Sequence, residues 1–376
     1  MFWSLSFIIL FIVATVAISP LMKRNSTQVV SPITQSVVQT KEAVEKTTFF
    51  IPKSPTIEQI FNSDHSWTAT ISAQRKRVLI ATGDIIPARV VNIQATKYRN
   101  FKWPYERTAD ILRDADITFI NLETPLIKAC PLVNDGMKFC GDEKNIEGLV
   151  FAGVDVASLA NNHTGNYGTD AVASTASLLS SNGILVTGID GPVYKRSLRA
   201  YALKDIRGLR LAFLGYNDIS KIQPGVSNAE ENKIQREIAQ AKQNADIVIV
   251  TFHWGSEYRS QPDERQKYLG KFSIDAGADL VIGNHPHWIQ PIEIYKGKLI
   301  TYAHGNFVFD QEWSLKTKQG VVGKYTFYDD KLVDVEYLPV QIENYGQPYF
   351  LTGDKKRVIL DEMKAESLKL SSSPNP

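Results

Sequence analysis

Short apolar runs that end on a polar side chain recur along this chain, and they restrict it to a fold that alternates strands with helices. Five of the six histidines stand just beyond such runs. Asn161-Asn162-His163 follows Val154 to Leu159, and His253 follows Ile247 to Val250. His285-Pro286-His287 follows Ala278 to Ile282, and His304 follows Leu299 to Tyr302. Runs this short and this rich in Val, Ile and Leu read as buried strands. Further strands are expected at Val78–Thr82, Ile117–Ile120 and Leu209–Leu214. Between them the periodicity changes to helical over Gly168–Ser181, Ala229–Asn244 and Asp263–Ala276. After Pro291 the pattern becomes antiparallel, with strands at 292–295, 298–302, 321–328 and 332–340 and tight turns at Lys296-Gly297 and Asp329-Asp330. A last helix is expected over Val358–Leu370. The alternation gives an α/β class with mixed sheets.

The chain of 376 residues is long enough for one large core. Its net charge of +2 and the absence of a basic block interleaved with aromatics exclude a nucleic-acid footprint. Phe2 to Met22 is almost wholly apolar and about the ~20 residues needed to cross a bilayer. Thr15-Val16-Ala17 matches a cleavage site poorly, so an uncleaved signal anchor is expected. Lys23 and Arg24 follow the segment, which by charge alone would keep the body on the cytoplasmic side. We divide the chain into a transmembrane anchor (1–22), a flexible linker (23–75), a folded domain (76–345), and a C-terminal helix and tail (346–376). Within the linker, Thr56–Phe61 is a candidate short helix. Cys130 and Cys140 suit no zinc motif. They form either a disulfide closing the intervening loop, which would mark an oxidising compartment, or two separate thiols.

Open α/β folds bind ligands beyond the carboxyl ends of their strands. This chain places there Asp84, with Arg89 five residues on; Glu123; Asn162 and His163; His253, with Glu257; His285 and His287; and His304. Taken singly, Gly83-Asp84 is an ordinary turn, Asn161-Asn162-His163 a polar turn and His253 a core histidine. Glu257 could pair with Arg89. Isolated His65 reads as structural. Together they form an oxygen and nitrogen donor set suited to Mn, Fe or Zn, one ion or two bridged by a carboxylate.

The order of these segments resembles the metallo-dependent phosphatase superfamily, and within it the CapA family of poly-γ-glutamate capsule biosynthesis proteins. The resemblance rests on Thr82-Gly83-Asp84-Ile85-Ile86-Pro87-Ala88-Arg89, Asn121-Leu122-Glu123-Thr124-Pro125-Leu126, Ser158 to His163, His253-Trp254-Gly255-Ser256-Glu257-Tyr258, Gly283 to His287, and Gly305-Asn306-Phe307-Val308-Phe309-Asp310-Gln311. It implies a four-layer α/β/β/α sandwich, an N-terminal transmembrane helix with the body outside the cytoplasm, and a role in making or exporting an anionic polymer. It also implies metal ligation by Asp84, Glu123, Asn162, His253, His285 and His287, and assigns His163 to protonating a leaving group. Glu257, His304, Asn306 and Asp310 are candidates for supporting contacts. One departure stands out. The superfamily usually carries Asp-x-His in the first segment, and here Ile86 takes the histidine's place. Two functions follow as expectations: a metal-dependent hydrolase acting on a phosphoester or γ-glutamyl link, with Arg89 stabilising developing charge, or a non-catalytic subunit beside a membrane synthase.

Overall fold

In the computed structural model the residues described are 53–62, 64–190, 200–219 and 225–372. The expected anchor at 1–22 and most of the expected linker lie outside them. None of the described helices is long and apolar enough to cross a membrane.

The strand that opens the core, β1 (Lys76–Ile85), has a parallel strand on one flank, and on the other an antiparallel strand along its first half and a short parallel one at its end. Helix α1 (Ile57–Asn62) precedes β1, and α2 (Arg89–Tyr98) follows it. Next are α3 (Ala109–Arg113), β2 (Ile117–Leu122), a small pair β3 (Leu126–Ile127) and β4 (Gly141–Asp142), α4 (Asn145–Phe151), β5 (Val156–Ser158), α5 (Gly168–Ser181) and β6 (Leu185–Thr187). The second half runs β7 (Ala202–Ile206), β8 (Leu209–Asn217), α6 (Glu231–Lys242), β9 (Ile247–His253), α7 (Glu264–Ala276), β10 (Leu280–Asn284), β11 (Ile292–Tyr295) and β12 (Lys298–Thr301). It closes with β13 (Asn306–Val308), β14 (Gln319–Tyr328), β15 (Lys331–Glu343), β16 (Gln347–Phe350) and α8 (Gly353–Ser372).

These strands form two mixed sheets. The larger has the order β16-β15-β14-β1-β2-β5-β6, with β13 also paired to β1; the smaller has the order β11-β12-β10-β9-β8-β7. Leu79, Phe119 and Val156 of the larger sheet share a core with Phe213, Ile249 and Ile282 of the smaller. The Phe119 and Phe213 rings stack at 5.8 Å, and truncating either to Ala would cost about 3–5 kcal/mol. On its other face the larger sheet packs Ile80, Ile120 and Ala157 against Leu112, Leu149 and Leu179 of α3, α4 and α5. The smaller sheet packs Val248, Val250 and Val281 against Ile234, Ile238 and Leu269 of α6 and α7. The all-apolar reading of β9 and β10 follows, since both their faces are covered.

Part of the expected linker is folded. Ile57 and Ile60 of α1 join the inter-sheet core, so the folded unit begins well before residue 76. The C-terminal segment is also integral. Gln347–Phe350 pairs with β15, and Ser367 of α8 accepts the Ile292 amide at 2.9 Å.

One close approach sets the position of the site. The Asp84 amide donates to Gly305 O at 2.9 Å, and a Cβ on Gly83 would lie 2.3 Å from that oxygen. Only glycine lets β13 lie this close to β1, and the pairing places Asp84 beside Asn306.

Candidate metal centre

Parallel strands deliver their carboxyl ends to a common edge, and this edge gathers donors from both sheets. The larger sheet supplies Asp84, Glu123 and Asn162, and the smaller supplies His253, His285 and His287. Asp84, Glu123, His253, His285 and His287 are all buried, with Asp84 and Glu123 fully inaccessible.

Two groups of contacts define the geometry. His253 Nε2 lies 2.8 Å from Asn162 Oδ1, 3.1 Å from His285 Nδ1 and 3.3 Å from Glu123 Oε1. Beside it, Asp84 Oδ2 lies 3.3 Å from His287 Nδ1 and accepts the His285 amide at 3.3 Å. Three sets of ligand atoms each fall within 4.8 Å of one another: Glu123, His253 and His285; Asp84, Glu123 and His287; and Glu257, His285 and His287. Sharing of Glu123 between the first two sets is the arrangement of a bridging carboxylate.

Whether these residues fit a cation can be judged from Glu123. Its Oε1 is buried yet accepts no hydrogen bond, despite the nearby His253 ring. A buried acceptor without a donor costs about 1–3 kcal/mol, and a cation between Glu123 and the imidazoles would satisfy it. Burial pushes the Glu123 carboxyl well above the usual range, and the charge of Asp84 adds to this. Burial also pushes Asp84 up, but its bond to His287, the charges of His287 and His253 and the Asn121 hydrogen bond together hold it below the usual range. Burial drives His253 down to about 3, takes His285 well below the ordinary imidazole range, and lowers His163 to about 4 despite its bond to Asn166. His287 is the exception. Burial opposes its charge, but the Asp84 hydrogen bond and the charges of Glu123 and Asp84 lift it to about 9. Mostly neutral imidazoles around two carboxylates make a donor set for a divalent ion.

Neighbouring groups orient these donors. Asn306 Nδ2 donates to Thr317 O at 2.9 Å, so its Oδ1 is an acceptor for His287 Nδ1 at 2.8 Å. That leaves Nε2 as the His287 ligand atom. Asn121, which the sequence reading did not single out as a site residue, donates to Asp84 Oδ1 at 2.8 Å and also meets Glu123 and His253. Asn161 was likewise missed; its Oδ1 accepts the amides of His163 and Thr164. Both stand at strand ends beside singled-out residues, which was the available signal.

Cys130 and Cys140 are joined in a disulfide. The loop they close brings the Phe139 ring onto His163 at 4.1 Å. Asn166 Oδ1 accepts both the Phe139 amide and His163 Nδ1. No sequence pattern pointed to Phe139. Arg89 pairs with Asp310 rather than Glu257 and lies 4.9 Å from the rings of both Phe139 and Phe309. His304 is held away from the donor atoms. Its Nε2 meets Tyr325 Oη at 2.9 Å, and its Nδ1 faces Gly283 O at 3.4 Å.

The fold is mixed α/β, with a buried cluster of oxygen and nitrogen donors at its strand ends whose spacing suits a cation. The model for bacterial capsule synthesis protein PGA_cap matches residues 78–311, a span that contains every donor described. The chain belongs to this family. It is 30% identical over 300 residues to the capsule biosynthesis protein CapA of Bacillus anthracis, covering 75% of this chain and 72% of the relative. It is also 30% identical over 295 residues to the PGA biosynthesis protein CapA of Bacillus subtilis (strain 168), covering 76% and 77%. Among solved structures, a phosphatase from Mycoplasma pneumoniae aligns with a TM-score of 0.47 at 13% identity, covering 72% of this chain and 95% of that one.

Proposed function

We propose that this chain is a membrane-anchored, extracytoplasmic accessory protein of poly-γ-glutamate synthesis or export that carries a metal-dependent hydrolase site of the phosphoesterase type. The three core clusters support the layer order of a metallophosphatase sandwich. The observation that carries the reading is the meeting of Glu123, Asn162 and His285 around His253 Nε2, with Asp84 and His287 alongside. A divalent ion there, Mn, Fe or Zn, supplies polarisation of a phosphoryl or carbonyl oxygen and activation of water. Asp84, Glu123, Asn162, His253, His285 and His287 hold it. Asn121 and Asn306 fix the orientation of Asp84 and His287. His163, steadied by Asn166 and Phe139, holds or moves a proton at the reacting oxygen. Arg89, engaged by Asp310, contributes positive potential from behind Phe139. The Cys130–Cys140 disulfide favours the oxidising side of a membrane.

A second reading, a non-catalytic subunit of a synthesis complex, draws on Ile86. It is buried with Ala88, Phe139 and Phe309, so the Asp84 side of the site gains no donor from it. The full-length chain in detergent, assayed on chromogenic phosphoesters and γ-glutamyl anilides with each metal, separates the two. The hydrolase reading expects metal-dependent turnover that falls by roughly 10²-fold or more in His163→Ala. Absence of turnover with every ion, together with unchanged polymer output from cells carrying His163→Ala, would replace it with the second reading.

A further inference from the structure

Asp84, Glu123 and His287 offer only three side-chain donors to an ion on their side of the site. The wall around them is apolar. Ile86, Ala88, Phe139 and Phe309 pack together there, with Phe309 5.4 Å from the His287 ring and Phe139 on His163. None of the four brings a ligand atom. Glu257 approaches from the open side, half-buried, with a carboxylate oxygen within 4.8 Å of ligand atoms of both His285 and His287.

The loop carrying Glu257 is built to hold it there. Gly255 turns the chain at φ +82, where a Cβ would strike the Gln266 side chain at 2.4 Å. Gln266 cannot yield readily, because it is buried, completes the capping box of α7 with Asp263, and donates to Gln290 at 2.8 Å. One residue after Glu257, Tyr258 adopts φ +60, an uncommon conformation for a bulky residue. Its amide donates to Pro286 O at 2.8 Å, and its hydroxyl accepts from Gln311 at 3.0 Å. The bond to Pro286 ties the loop directly to the His285-Pro286-His287 segment. Backbone strain of this kind persists where the surroundings over-determine it, commonly at ligand sites.

We infer that Glu257 is a direct ion ligand, supplying from the His285 and His287 side a further donor to the ion position framed by Asp84, Glu123 and His287, beside the one framed by Glu123, His253 and His285. This rests on the metal-centre reading above and extends it to a residue that could otherwise serve only as a polar neighbour. The full-length chain in detergent is stripped with chelator, then titrated separately with Mn2+ and Zn2+, with stoichiometry from elemental analysis and affinity from calorimetry. In Glu257→Gln one ion is lost, or the ion bound weakens by more than roughly 100-fold, beyond what removal of an outer-shell partner costs. In crystals of the wild type, anomalous scattering places an ion about 2.0–2.2 Å from a Glu257 oxygen for Zn2+. The scattering measurement stands even if the variant fails to fold. Unchanged stoichiometry with a loss below about 100-fold, or an ion with Glu257 out of bonding range, overturns the assignment while leaving the metal centre intact. A wild type that binds neither ion overturns both.

Discussion

Glu123→Gln should invert the usual order of stability between a native protein and its variant. In the metal-free chain Glu123 is buried beside the Asp84 carboxylate, and its Oε1 accepts no hydrogen bond. Replacing the acid with an amide of the same shape removes the cost of burying it, whether as a charge beside Asp84 or as a carboxyl held protonated, for a gain of about 1–3 kcal/mol. An ion acts in the opposite sense on the wild type. At a free concentration 100 times the dissociation constant it stabilises by about 2.7 kcal/mol. For domains of 150–250 residues this corresponds to roughly 5–10 °C in melting temperature, and this longer chain should fall toward the lower figure. Scanning calorimetry with chelator and with Mn2+ should therefore place both the metal-loaded wild type and the variant above the chelated wild type, with the variant responding little to metal. The reasoning is refuted if the chelated variant melts below the chelated wild type. It is equally refuted if chelator leaves the wild-type transition unmoved.

Three other outcomes are expected. Replacing both Cys130 and Cys140 with Ser opens a loop closed over a sequence separation of 10; this should cost up to about 3 kcal/mol and shift the His163 ring resonances as Phe139 loosens, both measurable by denaturant titration and NMR. His65 is bonded to Asp334 at 2.9 Å, and although burial opposes its charge, Asp334 raises its pKa overall; His65→Ala should cost about 1–2 kcal/mol below pH 6.5, a cost that fades as pH rises through the raised folded value, because the native state there releases the proton it had gained. Urea titrations at pH 6 and pH 9 that give the same difference would contradict this. His304→Ala should destabilise by about 1–3 kcal/mol, since it removes one partner of the buried Tyr325 hydroxyl, which then keeps Thr301 at 3.2 Å, while metal content by elemental analysis stays unchanged; a lost ion would return His304 to the ligand set.

The site's composition was legible because strand ends are readable from short apolar runs, and a donor just past a run reaches the shared edge. His163, His253, His285 and His287 follow that rule. His304 follows the same rule in sequence but turns into the inter-sheet network with Tyr325 and Tyr337. A residue at a strand end can face either side, and only register decides which. The spacing of Arg89 and Glu257 allowed an ion pair between them, but Asp310 holds Arg89, because the turn after β13 returns to the start of α2. Helix α2 itself was missed, since Arg89-Val90-Val91-Asn92 gives no cap signal and Ala88 forms no side-chain cap. The terminal helix was read too short because Asp354-Lys355-Lys356-Arg357 carries no apolar residue to mark its first turn. Phe139 was invisible because its position depends on a disulfide loop rather than on periodicity.

The parallel pairing of β1 with β13 joins Asp84 to Asn306 across most of the folded unit. A nascent chain therefore holds its aspartate and its first histidines long before the strand that orients His287 has been made. The donor cluster as described is complete only once synthesis has passed residue 306, and a product truncated before that point would keep the donors without the Asn306 contact that orients His287.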